Sequence, residues 1–280
     1  MAEPLSVAAS IVGVTVPALH GTRLLLDDLQ GIIDAPKSVE SLKEDLRSVD
    51  LALKSLQAVH DSEWKSLGGT VADESKVVIS SCTRACDTLR ADLQRWTRHS
   101  EEGKLSWQDR VNVGFFKQRQ IKSISEQLQA CKLTINSVVG IATLYSSIRH
   151  THISEEIKKT ISVQEAEITG AIAATDKQLT EVESTLGQLR LIDAGQEGVQ
   201  NAEDKDKALN RIKEEQIALN SSQILLQELL LKAGEEVVSR AASESQNRST
   251  QVTFGNQNAG FQIGISNGPI SGISFGGQGA

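Results

Sequence analysis

Between residues 37 and 60 the apolar side chains recur every three or four positions, at Val39, Leu42, Leu46, Val49, Leu53 and Leu56. That spacing lines one face of a 3.6-residue helix, so an amphipathic helix is predicted from a start at Pro36 to about His60. Ahead of it, Leu5 to about Leu29 predicts a helix with Pro4 near its first turn. Pro17 lacks a backbone N–H and is expected to kink or break that helix. The first half of this stretch is apolar or small nearly all the way round, the pattern of a buried helix. The segment "SLGGTVADES" reads as a loop, with Gly68 and Gly69 as breakers. A helix is then predicted from about Asp73 to His99, through Val77, Val78, Ser81, Ala85, Leu89 and Leu93 to Trp96. After a turn at "SEEGKLSWQDR", Ser106 can cap a long helix with Val113, Phe116, Ile121, Ile124, Leu128, Cys131, Ile135, Val138 and Ala142 on its inner face. Four long antiparallel segments of this kind predict a bundle.

Beyond Tyr145 the pattern becomes heptad-like. Ile161, Ile168, Thr175, Val182 and Leu189 are seven apart, and Ile172, Leu179 and Leu186 fill the companion positions. "DAGQEGVQNAEDKDK" interrupts the run, and a further helix from about Ala202 to Ala242 carries Ile212, Leu219, Leu226 and Leu229 on one stripe. Two extended helices forming a hairpin are the simplest arrangement. The expected organisation is all-α, with a helical bundle over 1–150, extended helices over 151–245 and a tail of different character over 246–280.

That tail has the period of a strand. Phe261, Ile263 and Ile265 alternate with Gly260, Gln262, Gly264 and Ser266, and the flanks repeat the alternation at Val252 and Phe254 and at Ile273 and Phe275. After Arg248 there is no Asp, Glu, Lys, Arg or His. Three short strands broken by "GNQN" and "SNGP" bury too little to stand alone, but copies from several chains can stack in register. Stacking would align Gln262 and the Asn side chains in hydrogen-bonded ladders and pack Ile and Phe in a dry zipper. A charge in such a stack would face its own kind at every layer, which accounts for the neutral composition. Free in solution, the tail is expected to be disordered.

Composition narrows the chemistry. The net charge is −7 and no dense Lys/Arg stripe is present, so nucleic acid is not an expected partner. Three cysteines suit a reducing compartment. Cys82 and Cys86 lie at i, i+4 within a helical pattern and read as core residues. His150 and His152 point to different helix faces, so no metal site is expected. No phosphate-cradling Gly-rich loop with Lys, no G-x-S-x-G elbow and no H-E-x-x-H occurs, and the carboxylates lie among lysines as on a solvated surface. The chain therefore reads as a non-enzyme needing no cofactor. Glu3 stands where a signal peptide would be basic, and the uncharged run from Pro4 to Leu19 is shorter than the roughly 20 residues a bilayer needs. The chain is expected to be soluble when first made.

The tail resembles the amyloid signalling motifs of fungal regulated-cell-death proteins, in particular the pseudo-palindromic type built on N-x-G-x-Q-x-G. Here the motif reads Asn258, Gly260, Gln262 and Gly264, with Asn267 near the trailing Asn. The core "FQIG" also resembles the animal RIP homotypic interaction motif, with Phe261 in place of its first aliphatic residue, and the sigma-type fungal motif is the competing subclass. The front of the chain resembles the HeLo-like domain of fungal death effectors, through "MAEPLSVAASIVGV" and "DAPKSVESLKEDLRSVDLALKSL".

Together the two resemblances imply a necroptosis-like effector of heterokaryon incompatibility and fungal innate immunity. A cognate NLR-type receptor with a matching motif would template the tail into cross-β amyloid. The clustered helical domains would then move from the cytoplasm to the plasma membrane and disrupt it, with anionic lipids and other copies of the chain as partners. The amyloid core would comprise Asn258, Gly260, Phe261, Gln262, Ile263, Gly264, Ile265 and Asn267. The membrane-active helix would use Leu5, Val7, Ile11, Val12, Val14 and Val16. Two other readings remain: a non-toxic prion, adaptor or inhibitor with a self-associating helical domain, and a coiled-coil scaffold with an unstructured tail.

Overall fold

A computed structural model describes residues 6–32, 37–97, 116–150, 155–193 and 202–247. Among these it contains seven α-helices and no strand: α1 (Val7–Gln30), α2 (Lys37–Gln57), α3 (Asp61–Leu67), α4 (Gly69–Thr97), α5 (Phe116–His150), α6 (Glu155–Asp193) and α7 (Ala202–Asn247). The residues to Ala233 form one compact unit. Those from Gly234 form a second, whose described part, 234–247, is helical.

The core follows the hydrophobic stripes. All six predicted positions of α2, Val39 through Leu56, are buried, and that face packs on α5 and α1. On α5 the positions Ile121, Ile124, Leu128, Cys131, Ile135, Val138 and Ala142 are all buried, against α2 on one side and α4 on the other. Helix α1 lies across α4 and α2. Polar clamps fix the register of these pairs: buried Asp45 of α2 accepts hydrogen bonds from Ser125 and from Gln129 (3.1 Å) of α5.

Helix α6 packs on α5 through the heptad positions Ile161, Ile168, Thr175, Leu179, Val182 and Leu186, all buried. Thr175 is tolerated because its hydroxyl donates to the Ala171 carbonyl at 2.9 Å. Leu219 of α7 joins Leu179, Val182 and Leu186 of α6 and Ala130 of α5 in one apolar cluster, with Leu209 and Ile212 packed at its margin.

Three local expectations are corrected. Pro17 does not break α1, which runs uninterrupted for 24 residues. The N–H that proline lacks would have met the carbonyl of Gly13, and both residues are exposed, so water can satisfy that carbonyl while Thr15, Ala18 and Leu19 stay buried on the inner face. The loop expected over "SLGGTVADES" contracts to a single residue, Gly68, and α4 begins at Gly69. Gly68 adopts φ 88°, and its N–H bonds to the Trp64 carbonyl at 3.0 Å. Between α2 and that glycine lies a short helix that the hydrophobic pattern does not announce. α3 buries Trp64 and Leu67 and packs on α5, α1 and α4.

Candidate functional site

The candidate site is helix α1. No residue from Ser6 to Thr22 carries a formal charge apart from the option of His20, so neither face of its first four turns presents a fixed ion. Its first turn is held from two directions. The Ser6 hydroxyl accepts the Ala9 N–H at 3.1 Å as a local N-cap, and Asp61 at the start of α3 accepts the Ala8 N–H, also at 3.1 Å. A carboxylate at a helix N-terminus is favoured by the exposed amide dipoles. Lys65 bonds Asp61 at 2.9 Å, and together with the Ala8 amide it holds that carboxyl below the usual range.

Further along, Arg23 of α1 meets Asp50 of α2 at 2.7 Å, and Arg90 of α4 meets Asp28 at 2.7 Å. Burial opposes ionisation of Asp50, but hydrogen bonds from Lys54 and Arg23 outweigh it and keep the carboxyl low. The inner face of α1 is dry. Ile11, Ala18, Leu25 and Leu29 are at most 1% exposed, and Thr15 and Thr22, also buried, return their hydroxyls to the Ile11 and Ala18 carbonyls.

The six residues expected to form one membrane-active face divide. At about 100° per residue, Val7, Ile11 and Val14 lie within one narrow sector, and Val12 and Val16 lie nearly opposite. Ile11 is buried, Val7 and Val14 are half-buried, and Val12 and Val16 are 38% and 52% exposed beside exposed Ala9, Gly13 and Pro17. Leu5 lies outside the described residues, as do the tail positions Asn258, Gly260, Phe261, Gln262, Ile263, Gly264, Ile265 and Asn267.

As one continuous helix, α1 is long and apolar enough to cross a bilayer by length and composition alone, a test that the core helix of a soluble bundle also passes. Four buried large side chains, Ile11, Leu19, Leu25 and Leu29, contribute roughly 6–12 kcal/mol at about 1.5–3 kcal/mol each, so α1 leaves its seat only where another apolar phase receives it.

The cysteines are core residues. Cys82, Cys86 and Cys131 are free thiols and buried. The Cys131 hydrogen bond and burial push the Cys82 thiol well up, and the Cys82 hydrogen bond and burial do the same to Cys86, so neither is poised as a thiolate nucleophile. Among the described residues no group of three His, Cys, Asp or Glu side chains is arranged to hold a metal ion.

A family model matches most of the chain. The family described as pigment biosynthesis cluster protein PigL N-terminal covers residues 2–226, which takes in α1 to α6 and most of α7 and stops short of the neutral tail. No curated protein and no solved structure matches.

Proposed function

The chain belongs to the PigL N-terminal family, and we propose that it acts as a fungal regulated-cell-death effector whose tail is templated into amyloid by a cognate NLR-type receptor and whose helical domain then disrupts the plasma membrane. An all-helical N-terminal domain is compatible with that reading. The observation that carries it is α1: a helix without fixed charge in its first four turns, which stores large aliphatic side chains in the bundle and keeps Val12 and Val16 in contact with solvent. Lipid would receive the stored face after release, since hydrocarbon replaces the protein core at little apolar cost. The tail contributes the trigger, because clustering through stacked strands would raise the local concentration of the helical domains.

A second reading, a non-toxic self-associating adaptor, is favoured by one feature. Ile217, Ile224 and Leu231 are exposed on α7 at intervals of seven, the repeat of a helix that pairs with another. Expression of the full chain with a fluorescent reporter in a fungal cell separates the two. With a receptor fragment bearing a matching motif, the effector reading predicts a change from diffuse signal to clusters at the plasma membrane and loss of viability. Clusters that stay cytoplasmic in living cells would select the adaptor.

A further inference from the structure

Helix α7 is seated on the bundle in two ways. Around Leu219 the contact is apolar, whereas one to two turns earlier it is polar. Arg211 reaches Asp92 of α4 at 2.8 Å, and Arg84 of α4 reaches Glu214 at 4.0 Å. Asp92 is buried and is further bonded by Gln120 of α5 and by Arg95, 3.6 Å away. Between α4, α5 and α7, Arg84, Gln120, Arg211 and Glu214 line a cleft of ≈ 70 Å³, room for a few waters and too small for a metabolite.

Glu215 lines that cleft, and the Ser123 hydroxyl of α5 donates to its carboxyl at 3.0 Å. The cations of the cleft are engaged elsewhere, Arg211 with Asp92 and Arg84 with Glu214. From α5 the charge that acts on Glu215 is Glu126, itself paired with Lys122 at 3.3 Å, and from α6 the neutral amide of Gln178 donates to the Glu126 carbonyl at 3.1 Å.

We propose that the Arg211–Gln223 stretch of α7 is a pH-sensitive strap, closed on α4 and α5 while the Glu215 carboxyl carries its proton and loosened when that carboxyl ionises. Glu215 is half-buried in this narrow cleft with no ion pair of its own among the described residues, so its carboxylate is hydrated less fully than a free one, and one hydroxyl does not make up the difference. Burial and, to a smaller extent, Glu126 push Glu215 up to about 7 from an ordinary 4.5, against the opposing Ser123 hydrogen bond.

The direction follows. Between pH 4.5 and 7 the closed strap binds more protons than the open one, so its advantage is full below 4.5 and is lost as pH rises through 7. The closed-to-open ratio would fall by up to about 300-fold from well below pH 4.5 to well above pH 7. The strap stands on the α4–α5–α7 contacts and holds whether or not the chain is a death effector.

The test is amide hydrogen exchange on the full chain at pH 5 and pH 8, corrected for intrinsic rates. Protection of 211–223 should fall by up to ~70-fold between pH 5 and pH 8 while α2 changes by less than a few-fold, and Glu215→Gln, which mimics the protonated side chain, should abolish the difference. The same pH dependence in Glu215→Gln, or none in the unaltered chain, would overturn the proposal. If Glu215→Gln folds poorly, Ser123→Ala serves instead: removing the donor that favours the carboxylate should move the midpoint to higher pH, and an unmoved or lowered midpoint would contradict the strap.

Discussion

Gly68 and Gly69 are neighbours with opposite demands. At φ 88° Gly68 occupies backbone space that a Cβ disfavours, whereas Gly69 begins α4 with nothing within 4 Å of the place a methyl group would take. Gly68→Ala should therefore cost about 1–3 kcal/mol, a fall of several degrees in Tm, while Gly69→Ala stays within about 0.5 kcal/mol of the parent. Thermal denaturation of the two variants side by side checks the assignment. The same contrast of nearby positions serves the functional reading of α1. Val16 is half exposed and Ile11 is buried, so a charge at Val16 tests lipid contact without opening the core. Val16→Glu should leave Tm nearly unchanged and reduce leakage of anionic vesicles at least tenfold, since a carboxylate resists transfer into the acyl region. Unchanged leakage would remove the exposed stripe from the mechanism.

Among the elements, α2, α5 and α6 were legible because each carries an unbroken stripe long enough for its period to be unmistakable: every predicted inner residue of α2 is buried, and so is each one of α5 from Ile121 to Ala142. Helix α3 escaped because seven residues hold only two apolar contacts, Trp64 and Leu67. Its signals were nevertheless present, in the acidic Asp61 and Glu63 of the first turn and in Gly68 just past the end. Trp64 is 1% exposed, and Trp64→Ala should cost about 3–5 kcal/mol, measured by denaturant unfolding. A cost below about 1 kcal/mol would show that α3 is dispensable. Pro17 predicts a kink or break in α1, and the helix is not broken: Gly13 and Pro17 both face solvent, where water can take the place of the missing hydrogen bond. The division of α1 between Ile11 inside and Val12 and Val16 outside was not legible either, because a stretch apolar on every side has no period to read and only the partners α2 and α4 decide which side is covered. The cleft around Glu215 was likewise hidden, since it is assembled from three helices whose charges look like solvated surface in sequence.

For the whole molecule, the proposed function assigns separable contributions to the helical unit and the neutral tail. The tail should stack only while it remains free of charge, so Gln262→Asp should slow fibril formation near neutral pH by repeating a like charge in every layer, and circular dichroism should show the helical unit intact. Equal fibril growth would move the core away from Gln262. The helical unit, in turn, should remain inert until clustered, because α1 keeps its largest side chains under the bundle and Asp61 secures its first turn. The central claim joins the two parts, and leakage of dye from anionic vesicles by the full chain, with and without preformed fibrils of residues 249–280, tests it most directly. Little leakage is expected from the chain alone and rapid, dose-dependent leakage once fibrils are added; vesicles that stay sealed while the added chain is drawn into fibrils would contradict that claim.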